Sequence, residues 1–151
     1  MYTRTVRRSQ VMQTYEHMNI PRSKAEREKL VRRGLEYAER ATVAGPTEFK
    51  GFLWRGIMGG VLSDYIGIME KVRGAYNIRD SFRKAVELSN SRDAESVHCL
   101  GQFYFAISEQ GAFERKASAA IGLTGTCEEA LELFTQAERV RPEYIANLYM
   151  T

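Results

Sequence analysis

Ala130-Leu131-Glu132-Leu133-Phe134-Thr135-Gln136-Ala137-Glu138-Arg139-Val140-Arg141-Pro142 is the stretch that decides how this chain folds. Ala130, Leu131, Phe134 and Ala137 share one helical stripe, and Pro142 stands where a helix must already have stopped. The same spacing occurs twice more: Ile78-x-x-x-Phe82-x-x-Ala85-x-x-x-x-Asn90 and Gly34-x-x-x-Ala38-x-x-Ala41-x-x-x-x-Pro46. Each places a small residue, a filler and a second small residue on one helix face, then a breaker. Small residues admit a neighbouring helix closely, and Phe fills the gap one turn earlier. The first copy departs by carrying Ala38 at the aromatic position.

A partner helix is legible in Val97-x-x-Leu100-Gly101-x-x-Tyr104, which follows the first-helix pattern of a tetratricopeptide unit with Val in place of Trp. Trp54 is expected to open the corresponding helix one unit earlier. Capping boxes at Ser23-x-x-Glu26 and Thr126-x-x-Glu129 mark two helix starts. Little of the chain shows the alternation of a half-buried strand. The expected fold is all-α, a tetratricopeptide-like antiparallel helix-hairpin array, or α-solenoid, with two helical insertions. Units are expected at about 1–46, 47–92 and 93–142 of a single domain, with a further helix starting at 143–151. Ala41 to Ala85 is 44 residues and Ala85 to Ala137 is 52, longer than a plain unit. The extra residues fall between Ser63 and Arg79 and between Gln110 and Thr126. The second insert should run helical to about Ile121 and end in Gly122-Leu123-Thr124-Gly125.

At 151 residues, with 44% hydrophobic and 27% charged residues, one domain can bury roughly two thirds of its surface. Disorder and a disulfide scaffold are excluded. The net charge of +3 is unevenly placed: residues 1–40 hold ten Lys/Arg against five Asp/Glu, and residues 41–151 hold twelve against fourteen. Cys99 and Cys127 have no metal-ligand spacing and suggest a reduced, intracellular setting. Arg55 interrupts the best apolar run, Gly51 to Leu62, so no membrane span is expected. The first fifteen residues carry three Arg and no acid, as in mitochondrial presequences, but lack an apolar segment for secretion.

Catalysis finds little support. His17 and His98 are the two histidines, and adjacent His98 and Cys99 diverge by about a hundred degrees on a helix. Gly56-x-x-Gly59-Gly60 lacks the ending of a phosphate loop and reads as close helix packing. Gly122-x-x-Gly125 precedes a helix start, where an anion can bind, but reads as a plain inter-helix turn. No enzyme activity, cofactor or metal is expected.

Ser63-Asp64-Tyr65, Ala75-Tyr76-Asn77-Ile78, Phe82-Arg83-Lys84-Ala85-Val86-Glu87-Leu88, Ser96-Val97-His98, Phe113-Glu114-Arg115-Lys116 and Glu129-Ala130-Leu131 together resemble the regulator of microtubule dynamics family over about residues 24–150. The resemblance implies a helical repeat scaffold associated with microtubules, spindle organisation and chromosome segregation. It implies a cytoplasmic location at the cytoskeleton or spindle rather than mitochondria. One family member moves lipid at organelle contacts, which suggests the alternative of a lipid- or peptide-binding groove. Family members continue beyond the position of Met150, so a fragment or short form is expected.

Two sets of residues are candidates for partners. Repeat geometry puts Arg55, Leu62, His98, Gln102 and Phe105 on a concave groove for other proteins, with Arg115 and Lys116 on the second insert. Core capping in a curved array explains the same residues. Phe103, Phe105, Phe113, Ile121 and Leu123 form the alternative apolar slot for lipid, and core packing explains those as well. Arg4, Arg7, Arg8, Lys24, Arg27, Arg32 and Arg33 form a basic arm suited to acidic tubulin. The arm also reads as solvated helix surface, because Lys24 and Arg32 have Glu28 and Glu36 at i+4. Nucleic acid is not expected, since aromatics do not interleave with the basic run. Ile145, Leu148, Tyr149 and Met150 leave an apolar edge through which two copies are expected to associate.

Overall fold

The computed structural model describes residues 23–144, with the side chains of residues 112, 113, 114 and 117 left out. Among the described residues there are six helices and no strand: α1 (Lys24–Ala44), α2 (Phe49–Leu62), α3 (Ile68–Leu88), α4 (Ala94–Ser108), α5 (Ala112–Ala120) and α6 (Cys127–Val140). The all-α expectation holds. The chain divides into two compact units, Met1–Leu88 and Ser89–Thr151.

In the first unit, α2 packs on both α1 and α3. The start of α1 is fixed by the capping box that the sequence announces. Ser23 Oγ accepts from Glu26 N, and Glu26 reaches back to Ser23 N at 3.0 Å. The helix ends at Gly45, one residue before Pro46. Only Lys50 and Arg55 are charged in α2, because two of its faces are covered. Towards α1 it turns Met58 and Leu62, which join Val31 and Ala38 in a buried cluster flanked by Trp54, Tyr65 and Leu35. Val31, Ala38, Leu53 and Met58 are fully buried. Burying a Leu, Met or Val side chain contributes about 1.5–3 kcal/mol, so these residues and not helix propensity hold the hairpins.

Towards α3, Gly56 and Gly59 lie beneath Phe82 and Ile78. A Cβ at Gly56 would overlap the Phe82 ring, and one at Gly59 would sit 3.0 Å from Ile78 Cγ1. The Gly56–Gly59 reading as close packing is therefore right, and Gly60 takes no part, with nothing within 4 Å of its notional Cβ. The first insertion does not add a separate helix. It lengthens α3, which runs for 21 residues from Ile68. Asn90 and Ser91 then take left-handed φ values of 51° and 57°, and the chain breaks where the repeat pattern placed Asn90.

In the second unit, α4 packs on α6, with the short α5 touching α4. Asp93 caps α4 by accepting from Ser96 N and Ser96 Oγ. Gly101 lies beneath Phe134, whose Cε1 would be 2.9 Å from an added Cβ. Val97, Leu100, Tyr104, Ala130, Phe134 and Ala137 are buried, as the repeat pattern required of its matched positions, but Leu131, expected on the same stripe, is 56% exposed. The second insertion is α5, and it stops at Ile121, where Gly122 takes φ 75°. Leu123 then folds inward, 2% exposed, and Thr126 opens α6 with the second expected capping box.

Candidate functional site

The basic residues of the expected arm lie partly on α1. Arg4, Arg7 and Arg8 lie outside the described residues. Lys24 and Lys29 are exposed on α1 and Arg27 is half-buried. Arg32 is already engaged: Nη2 lies 2.8 Å from Glu28 Oε1 and Nη1 lies 3.4 Å from Glu70 Oε1 on α3. The hydrogen bond it donates to Glu28, with that to Glu70 behind it, holds its guanidinium above the usual arginine range. The expected partner of Arg32, Glu36, pairs with Arg40 instead. Arg33 stacks over Tyr37 at 5.6 Å and donates from Nε to its hydroxyl at 3.0 Å. Half of the helical part of the arm is thus ordinary paired surface.

The sharper feature is a cavity of about 190 Å³ within the first unit, where α1, α2 and α3 meet. Its apolar walls are Leu35, Leu62, Ile66 and Ile78. Its polar lining includes Arg55, Lys71, Arg73 and Asn77, with Glu39 and Glu70 on the acidic side. Arg55 and Leu62, both expected on a groove, meet here. Lys71 and Arg73 belong to the first insertion and went unnoticed in the sequence. A helix lengthened to start at Ile68 carries them back across α2, which the repeat period alone does not reveal.

Five further groove positions do not join that cavity. His98 is a correction: it is 2% exposed and lies in the core of the second unit. Its ring sits 5.2 Å from Phe134 and 5.4 Å, edge on, from Tyr144. Residues 36 and 46 positions further on cover it, so its helix alone could not show the burial. Gln102 and Phe105 face solvent, Phe105 at 37% exposure. Arg115 and Lys116 are exposed on α5. The apolar slot is not assembled from its named residues: Leu123 is buried, Phe103 half-buried, and Phe105 and Ile121 exposed. The side chain of Phe113 lies outside the description, as do Ile145, Leu148, Tyr149 and Met150.

Tyr144 closes over His98, and burial, reinforced by the nearby Glu95, pushes its phenol up to about 12. Among the described residues no group of three His, Cys, Asp or Glu is placed to hold a metal. No helix of the described residues is long and apolar enough to cross a membrane.

The charge divides along the same line as the units. Residues 1–88 hold 17 Lys/Arg against 10 Asp/Glu, and residues 89–151 hold 5 against 9. The basic character therefore extends well past the first forty residues and into α3.

An all-helical protein with a cationic half is the class that fold and site define among the described residues. The family described as Regulator of microtubule dynamics protein 1-3 matches residues 4–151, and the chain belongs to it. Similar proteins include Regulator of microtubule dynamics protein 1 of Bos taurus, 36% identical over 128 residues, and that of Homo sapiens, 35% identical over the same length. Both matches cover 83% of this chain and 40% of the relative. Regulator of microtubule dynamics protein 3 of Xenopus laevis is 30% identical over 122 residues, 79% of this chain and 26% of its own. The chain thus spans about two fifths, or less, of the length of these relatives.

Proposed function

We propose that this chain is a non-enzymatic, microtubule-associated scaffold whose basic half meets the acidic surface of tubulin. Membership of the family carries the reading, since its relatives are named as regulators of microtubule dynamics. The excess of seven cations in residues 1–88 supports it physically. A cationic surface gains steering and attraction on an acidic polymer, and loses both as salt shortens the Debye length to about 8 Å. The acidic second unit supports a separate task, the binding of other proteins. In this reading the helix pairs are tetratricopeptide-like, with units at about 1–46, 47–92 and 93–142, and the setting is the cytoskeleton, in spindle organisation and chromosome segregation. The Gly–Phe contacts of the two units, Gly56 with Phe82 and Gly101 with Phe134, support the repeat.

Co-sedimentation of the 151-residue chain with stabilised microtubules tests the proposal. Pelleting is expected at low salt, falling steeply towards physiological ionic strength. Neutralising Arg4, Arg7 and Arg8 to Gln should reduce it further. Pelleting that is absent at low salt removes direct binding, and pelleting indifferent to the triple variant removes the arm from it.

A further inference from the structure

We infer that the cavity of the first unit is a docking site for an acidic peptide, taking one apolar side chain of that peptide inside and its carboxylates at the rim. The inference goes beyond microtubule association and does not depend on it. Volume sets the first limit. About 190 Å³ is slightly more than a benzene-sized pocket, so it accepts one aromatic or branched side chain and not an extended acyl chain. Leu62 and Ile78 supply apolar wall to receive it.

Charge sets the second. Arg55, Lys71 and Arg73 all line the cavity, and none of the salt bridges among the described residues involves them. Of the two acids in the lining, Glu70 already faces Arg32 at 3.4 Å. The site is left with an excess of unanswered positive charge beside an apolar wall. Arginine takes carboxylates bidentately through paired N–H donors, and Lys71 and Arg73 are exposed at the rim, where a peptide can reach them. An acidic residue on each side of an apolar one, along an extended peptide, matches that arrangement.

Gly74 provides a clean way to close the site. It lines the cavity in the middle of α3, and a Cβ built on it meets nothing within 4 Å. Gly74→Leu is therefore expected to narrow the cavity from a position that is open at Cβ, and helix propensity favours Leu over Gly by up to about 1 kcal/mol. The probe is a fluorescein-labelled peptide with one Phe inside a run of Glu, titrated by anisotropy against the whole chain at about 50 mM salt. Saturable binding is expected. Gly74→Leu should weaken it at least about tenfold while thermal stability holds or rises, and Arg55→Gln with Arg73→Gln should weaken it by a similar factor. Replacing the Phe of the peptide by Ser should cost about tenfold as well. A Gly74→Leu chain that binds like the parent overturns the inference, as does binding that ignores the Phe. Loss of binding to phosphatidylserine vesicles in place of the peptide assigns the cavity to a membrane surface and overturns it too. Microtubule pelleting is read separately on the Arg4, Arg7 and Arg8 variant, so the two readings fail independently.

Discussion

Residues 1–88 and residues 89–151 seat a phenylalanine over a helix glycine in the same way, Phe82 on Gly56 and Phe134 on Gly101, yet differ in nearly everything around that contact. In the first unit the glycine-bearing helix is sandwiched between two partners and is almost free of charge. In the second its counterpart α4 has one main partner, and a short helix intervenes before that partner arrives. The first unit carries a cationic excess of seven and the second an acidic excess of four. The same packing device thus coexists with opposite net charge.

Removing the aromatic member of each pair should produce the largest effects. Phe82→Ala and Phe134→Ala each empty a nearly fully buried site and should cost about 3–5 kcal/mol in urea denaturation. Hydrogen exchange should show protection lost in α2 and α3 for the first and in α4 and α6 for the second. Equal loss in both units for either variant would mean that the two share one cooperative core, and the comparison would collapse.

Filling the glycine is the subtler change. Gly56→Ala and Gly101→Ala should each destabilise by about 1–3 kcal/mol through overpacking, despite the better helix propensity of Ala. The Gly56 variant should suffer more, because the Phe82 ring stands closer to the missing Cβ than Phe134 does at Gly101. The reverse order in thermal melts would show that Phe82 has room to shift.

The smallest effect is confined to one unit. Tyr144 has a folded pKa of about 12 against an ordinary value of 10.0, so the neutral phenol is favoured in the folded state. That contribution is fully present below pH 10 and is lost as pH rises through 12, because the unfolded chain sheds the proton first. Stability of the second unit should fall over that window, and Tyr144→Phe should remove the fall. A Tyr144→Phe chain with the same alkaline profile as the parent would assign the loss elsewhere.

Helix starts were legible because capping is local: Ser23 with Glu26 and Thr126 with Glu129 span three residues each. Ala130, Phe134 and Ala137 were legible as one buried face for the same reason, whereas Leu131 falls at its edge and is exposed. Register was not. The repeat pattern makes Trp54 the counterpart of Val97, but the shared glycine contact aligns Phe52 with Val97, a shift of two residues that turns the helix by about 200°. Trp54 accordingly faces the α1 side of its helix. The telling signal was Gly56 itself, seen in the sequence only as part of a glycine cluster. Arg55 and Leu62 were chosen on repeat geometry and do line the cavity, whereas Lys71 and Arg73 needed the length of α3, which no local pattern announces.

The connections between packed helices carry one more consequence, in time and not in space. Four residues separate α1 from α2 and five separate α2 from α3, while eighteen lie between α4 and α6. Closing the longer excursion costs about 1 kcal/mol more chain entropy before any contact rewards it. Nearest-neighbour hairpins form early and rapidly. The basic unit should thus be assembled first on refolding, and as the chain is synthesised, leaving the acidic unit to complete itself against the clock of its own longer loop.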